Sequence, residues 1–328
     1  MGRNHIEAAT GLGLELVGIC DQNPETLAQT AREMDISPEK RFADASTLLE
    51  KTNPECVIIA TTTPSHCPYT CMAAEAGARY ILCEKPMAVS INQCNKMIDA
   101  CQRAGTELAV NHQMRFMEQY TEPKRITQTE AFGGLSSVTV VAGNIGMAMN
   151  GSHMFEMFRY MTDEIPNQVT AWLSDDKVAN PRGEEFEDRG GSIRMTTASG
   201  KRFYLEIGTD QGLGLKSVYS GPRGQIVVDE LTGRIQVAVR EEAGLDLPTT
   251  RYSAPWTETE TMIEPASNIG PSQRVLEALI NNQDAPTGAD AKLVVSLLVA
   301  AYVSDENGHV PVTPDDPRLD VDREFPWA

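Results

Sequence analysis

The feature that most constrains this chain is a strand–helix alternation that runs unbroken to about residue 113. "ECVIIATTT" at 55–63 is apolar without period-two alternation, the pattern of a strand covered on both faces. "LELVGICD" at 14–21, the short "RFAD", "RYILCEKP" and "TELAVNHQ" read as further strands. Helical stretches separate them. "PETLAQTAREM" has Asn23 as N-cap and Pro24 at its first position. A short helix follows from Ser46 to Lys51, and "PYTCMAAEAG" closes on Gly77. "SINQCNKMIDACQRAG" starts at a capping Ser90 and stops at Gly105. Strands spaced by helices predict an α/β doubly wound parallel sheet whose strand C-termini share one ligand-binding edge.

After residue 113 the rhythm changes. "LSSVTVVAG", "NQVTAWLS", "SIRMTTAS", "KRFYLEIG", "GQIVVDEL" and "RIQVAVREE" are strand-like, and "RMTTASGKRFYLEIG" reads as a hairpin turning on Ser199-Gly200. Helices are expected at about 151–162, 271–282 and 288–305. The division predicted is a dinucleotide-binding domain over 1–115 and an α+β domain over 116–328 with a large, mainly antiparallel open sheet. That domain would bind substrate and, through the sheet's uncovered face, form a homodimer or homotetramer. Residues 240–270 and those after 312 read as long loops, and specificity is expected on the sheet and in loops such as "TDQGLGLKS" at 209–217.

Charge and cysteine usage narrow the partners. Lys and Arg number 28 against 46 Asp and Glu, a formal charge of −18. That balance disfavours nucleic acid or an anionic membrane as partner. No apolar run is long enough to span a bilayer, and no secretory leader is read. Seven cysteines without a C-x-x-C pair point to a reducing, cytoplasmic setting. "HCPYTC" at 66–71 lacks the second ligand pair of a structural zinc site, so no metal is expected.

The first ten residues, "MGRNHIEAAT", read as an amphipathic helix ahead of the strand that ends in Asp21. Dinucleotide folds hold pyrophosphate on a glycine turn between a strand and a helix, with an acid about 20 residues on for the ribose hydroxyls. Gly2 lies 19 positions before Asp21 and fits the last glycine of that turn. The first strand and two earlier glycines have no counterpart. A misplaced start or a truncated chain is the favoured explanation over evolved loss. "GLG" at 11–13 precedes a strand rather than following one and reads as a turn. An acid at Asp21 repels a 2′-phosphate, which favours NAD over NADP.

"ILCEKPMAVS" at 81–90 puts a glutamate, a lysine and a proline at a strand end on the ligand edge. With its surroundings, "VIIATTTPSHCPYTCMAAEAGARYILCEKPMAVS", it resembles the glucose–fructose oxidoreductase / inositol dehydrogenase (Gfo/Idh/MocA) family. The resemblance runs from Gly2 to about residue 116 and is weaker over "GSHMFEMFRYM", "EFEDRGGSIRMTTASG" and "AKLVVSLLVAAYVSDENGHVPVTP". It implies a Rossmann domain, an open-sheet domain and a nicotinamide cofactor between them. It further implies that Lys85 reaches both nicotinamide and the reacting hydroxyl, with Glu84, Thr61 and His66 lining the cofactor. Oxidising a secondary alcohol needs a hydride acceptor and a base, and Lys85 would share the proton with a histidine. In the family that histidine follows an aspartate as D-x-x-x-H. Here "MAMNGSHMFEMF" supplies His153, but Met149 stands at the aspartate's position, with Asn150 next to it at the substrate. Glu156, one turn on, is placed to face the same side. "NHQMRF" puts Asn111 and His112 at the cleft, and Arg115 either holds substrate or bridges the domains. The acidic pair Glu187 and Asp188 reads as a structural turn, and His5 belongs beside the phosphate loop.

The implied activity is NAD-dependent hydride transfer between nicotinamide and a secondary hydroxyl or ketone of a sugar, cyclitol or sugar derivative. Two alternatives stay open: a redox-neutral, glycosidase-like enzyme of the same fold, and a non-catalytic homologue without nucleotide binding.

Overall fold

The computed structural model describes residues 1–176, 180–212, 214–249, 255–265 and 267–328. The chain divides into two compact units. The first comprises 1–113, 267–295 and 321–328, and the second 114–266 and 296–320.

The first unit opens with helix α1 (Gly2–Gly11), strand β1 (Ile19–Cys20), α2 (Pro24–Glu33), β2 (Arg41–Phe42), α3 (Ala45–Thr52) and β3 (Cys56–Ile59). It continues through α4 (His66–Glu75), β4 (Tyr80–Cys83), α5 (Ile91–Ala104) and β5 (Glu107–Val110). The caps are those the sequence predicts. Asn23 accepts from the amides of Glu25 (2.9 Å) and Thr26 (3.3 Å), and Ser90 accepts from Gln93 (3.2 Å). Gly105 ends α5 at φ +70°, a conformation that favours glycine.

The parallel sheet is in two pieces, β1–β2 and β3–β4–β5. This shortens two expected strands. The run 14–21 is bonded as a strand only at Ile19–Cys20, and 55–63 only at Cys56–Ile59. Both β1 and β3 pair on one side alone, and a strand edge without a partner cannot hold a long extended run in register. Cys56, Val57 and Ile58 are accordingly half-buried rather than covered on both faces, whereas β4, flanked on both sides, is fully buried.

The second unit carries α6 (Glu118–Thr127), β6 (Ser137–Ala142) and α7 (Ser152–Thr162). Seven more strands follow: β7 (Pro166–Leu173), β8 (Gly191–Thr197), β9 (Arg202–Ile207), β10 (Lys216–Ser220), β11 (Gly224–Asp229), β12 (Arg234–Arg240) and β13 (Trp256–Met262). They form one sheet in the order β13-β12-β11-β10-β6-β9-β8-β7, antiparallel except at β6–β9. The β8–β9 hairpin turns at Gly200, φ +86°. Helix α7 packs on one face, with Phe158 stacked on Phe203 at 5.2 Å and Phe155 edge-on to it at 6.3 Å.

Two strands fall where loops are expected. β10 takes up the end of 209–217, and β13 lies inside 240–270. "WTETETM" hides its strand character because every residue is polar or exposed; it is an edge strand held to β12 by its main-chain ladder and a Gln236–Glu260 side-chain bond at 3.0 Å. Leu213, in the expected specificity loop, lies outside the described residues, as do 250–254 and 266 in the 240–270 stretch.

Helices α8 (Ile269–Ile280) and α9 (Gly288–Glu306) complete the chain. Helix α8 packs on α1, β4 and β5, and α9 runs across the division between the units. The last residues return to the first unit. Thr63 donates to the Ala328 carbonyl at 2.5 Å, Phe325 N to Val89 O at 3.0 Å, and Trp327, fully buried, stacks on Phe325 at 4.7 Å.

Glu230 is the unusual acid of the second unit. Burial pushes its carboxyl up to about 7, against the hydroxyls of Tyr120 and Ser217 beside it, with Asp229 adding repulsion. A folded state that holds this proton more tightly than the unfolded chain loses stability as pH rises from about 4.5 to about 7, then levels off. Relative to Glu230→Gln, the wild type should lose about 3 kcal/mol over that window in urea titrations at stepped pH, and the difference should be flat above it.

Candidate functional site

In the first unit the chemistry gathers at the C-terminal ends of β3, β4 and β5. Glu84 follows β4 and is 5 % exposed. Its Oε1 accepts from His5 Nε2 at 2.7 Å, on α1, and from Asn111 Nδ2 at 3.0 Å, just past β5. Its Oε2 accepts from the Lys85 amide at 3.3 Å. Burial alone would raise the Glu84 pKa. The hydrogen bond and charge of His5, with Lys85 and Asn111, outweigh it and hold the carboxyl well below its ordinary range. Asn111 also donates to Ser272 on α8 at 3.1 Å. Lys85 and His112 are buried at the same edge, and the Lys85–Pro86 peptide is cis.

His66 forms the second cluster. Its Nδ1 lies 2.8 Å from Pro86 O and its Nε2 3.1 Å from Thr61 O. Burial lowers its pKa, opposed in part by those two carbonyls. A neutral imidazole has one N–H, so the shorter Nδ1 contact is the hydrogen bond, and it ties the Pro86 turn to the loop after β3. Thr61 itself is exposed.

Gly2 and Asp21 occupy the ends of their elements. The first turn of α1 has no side-chain cap, and a Cβ on Gly2 would meet nothing within 4 Å. Asp21 accepts from the Asn23 amide at 2.8 Å, which sets the turn into α2. Burial raises the Cys20 thiol, and the nearby carboxylates of Asp44 and Asp21 add to it, so the end of β1 is an acidic environment.

These residues fit a dinucleotide. Uncapped amides at α1 are the kind that take phosphate. Two buried atoms in the Glu84 network, His5 Nδ1 and Asn111 Oδ1, have no hydrogen-bond partner, which leaves polar capacity for a bound group. Among the described residues no cluster of three or more His, Cys, Asp or Glu is placed to hold a metal ion.

In the second unit a π-turn, Met147–Gly151, leads into α7, whose second residue is His153, 6 % exposed. The Asn150 side-chain Nδ2 donates to Ile145 O at 2.6 Å. Arg115 is engaged by Glu156, which also accepts from Arg159 Nε and Nη2, both at 2.8 Å. This buried Arg–Glu–Arg group holds Arg115 against α7, in one unit with the helix that carries His153. The sequence reads Asp188 as part of a structural turn and does not reveal its partner. The Asp188 carboxylate accepts from the Ala148 amide at 2.8 Å and the Met149 amide at 2.7 Å, at the start of that helical segment. The signal was present as an acid ahead of paired glycines, but its partner lies 40 residues earlier.

The split parallel sheet, the open glycine at α1, the acid after β1 and the buried carboxylate at the strand ends are the elements of a Rossmann-like α/β unit, and the second unit is an open sheet. Residues 1–112 match the model of an oxidoreductase family with an NAD-binding Rossmann fold, the Gfo/Idh/MocA family. It is 29 % identical over 186 residues to a D-apiose dehydrogenase of Paraburkholderia graminis, covering 52 % of this chain and 49 % of that protein. The chain thus spans about half the length of that curated relative. It is 27 % identical over 259 residues to an inositol 2-dehydrogenase of Pseudomonas syringae, covering 75 % of each. In fold it is similar to an Agrobacterium radiobacter oxidoreductase solved with NAD+, L-tartaric acid and magnesium, with a TM-score of 0.76, 21 % identity and 95 % of each chain covered. No helix among the described residues is long and apolar enough to cross a membrane.

The His5–Glu84 pair yields a direct test. Removing one partner of a buried pair leaves the other charge uncompensated. His5→Ala should cost about 3–5 kcal/mol in urea unfolding, and His5→Ala with Glu84→Gln should cost less than the two single changes added.

Proposed function

We propose that this chain is an NAD-dependent dehydrogenase acting on a secondary hydroxyl or ketone of a sugar, cyclitol or sugar derivative. The observation that carries the reading is the buried Glu84, kept ionised by three donors at the strand edge beside Lys85. The dehydrogenase relatives support the substrate class. Residues 1–115 would hold the dinucleotide and 116–328 the substrate. Gly2 and the α1 amides would take the pyrophosphate, and Asp21 the ribose hydroxyls. Thr61, His66, Glu84 and Asn111 would line the nicotinamide end. When bound, NAD supplies the hydride acceptor. Lys85 and His153 would take the proton from the hydroxyl, with Arg115, His112 and Asn150 shaping the substrate side. The Asp21 and Asp44 carboxylates near the end of β1 support NAD over NADP, because a 2′-phosphate there would meet like charge. Seven free thiols support a reducing, cytoplasmic setting. Val141, Trp172 and Tyr204, exposed on the open sheet, support a homodimer or homotetramer through that face. Light scattering should then give a mass at least twice that of the chain, and a monomer would end that part of the proposal.

Nicotinamide fluorescence tests the nucleotide reading first. NADH should bind at least roughly tenfold more tightly than NADPH, a difference of about 1.4 kcal/mol. Asp21→Ala should narrow the gap. With inositols and aldoses as substrates, Lys85→Met should lower kcat by about 10²–10⁴-fold while NADH still binds. Absence of NADH binding would overturn the reading.

A further inference from the structure

Three of the five amides that open the helical segment bearing His153 are satisfied from one distant turn. Met147 N donates to Arg189 O at 3.1 Å. Ala148 N and Met149 N donate to the two oxygens of Asp188, at 2.8 and 2.7 Å. Asn150 N and Gly151 N return to Gly146 O at 3.2 and 2.9 Å. The approach of Asp188 is built in. Gly146 sits at φ +73°, and a Cβ there would lie 2.1 Å from Asp188 Oδ2. The turn that presents Asp188 is itself fastened. Arg189 donates through Nε to Ser174 O at 2.8 Å and through Nη2 to Leu173 O at 2.9 Å. It also pairs with Asp175 at 3.0 Å and Asp305 at 3.2 Å. Gly190 and Gly191 approach the backbone so closely that a Cβ would fall 2.6 Å from Ile207 O and 2.3 Å from Trp172 O. A carboxylate held this firmly at a helix start is more than a cap for a surface turn.

We infer that Asp188 is a positioning residue for His153. From a separate segment it fixes the π-turn that sets the imidazole's place on α7, and it brings one negative charge to the N-terminal end of that helix. The charge offsets the helix dipole and favours the protonated imidazole, so His153 can accept a proton more readily. Met149 and Asn150 bring no charge to this turn. Other charged groups on or beside the helix are Glu156, Arg159 and Arg115, which are joined to one another, Lys124 and Lys201, which donate to Tyr160 O and Thr162 O at its C-terminal end, and Arg189 on the turn itself. In its kinetic consequences the inference rests on the dehydrogenase reading; in its effect on the imidazole it does not.

The test uses the full chain with Asp188→Asn and Asp188→Ser. Serine keeps an oxygen that can cap a helix start and drops the charge, so it serves where asparagine fails to fold. The pKa of His153 is read by NMR on histidine-labelled protein, its signal identified by its loss in His153→Gln. Both variants should lower that pKa by roughly half a unit, the size expected of one charge a little over one helical turn away in a partly screened setting. In turnover, kcat should fall about 10- to 100-fold, its acid limb should move to lower pH by the same half unit, and NADH affinity should be unchanged. An unmoved His153 pKa in a folded variant overturns the inference and leaves Asp188 as a structural cap. A wild-type protein that oxidises none of the polyols, yet shows the NMR shift, fails the dehydrogenase reading and keeps this one.

Discussion

The first unit is organised around one buried negative charge. Taking a carboxylate out of water costs several kcal/mol unless donors replace the lost solvation. Glu84 meets that demand from three places far apart in sequence: His5 on α1, Asn111 after β5, and the amide of Lys85 next to it. Each donor must be in position for the charge to persist, so the network fixes α1 against the ends of β4 and β5. Ser272 on α8 extends it through Asn111. The cluster therefore ties the helix that opens the chain to the residues expected at a cofactor, and it places Lys85 as a consequence of holding its neighbour.

That dependence has added weight because the sheet above it is divided. β1 and β3 are each paired on one side only, and β3 keeps three half-buried residues. A continuous parallel sheet would hold its strands through main-chain ladders. Here side-chain contacts carry more of that load. Helix α8 against α1 and β4, and the tail with its buried Trp327, brace the unit from other directions. Thr63 bonds the tail to the loop after β3, and the adjoining His66 bonds to Pro86 O.

Much of this was legible in the sequence because it is local. Asn23, Ser90 and Gly105 mark helix ends by chemistry that acts within four residues, and all three act as read. The EKP stretch is legible for the same reason, as a charge pair at a strand end. The strand lengths were not, because a strand's extent depends on what pairs with it. β13 was missed because its pattern of Thr and Glu carries no apolar signal, and only its ladder to β12 makes it a strand. His5 could be assigned to α1 from sequence, but its partner 79 residues away could not.

Asp188 shows the same limit at the site itself. Along the sequence, the position four residues before His153 is methionine, which reads as a missing charge. In space, a carboxylate from a turn 40 residues later meets the amides of Ala148 and Met149. Backbone amides do not record which segment satisfies them, so a helix start can take its acid from within or from elsewhere with the same electrostatic result. What the distant solution demands is room. Gly146, Gly190 and Gly191 are the places where the sequence supplies it, since a side chain at any of them would collide with Asp188 or with the strands that hold its turn.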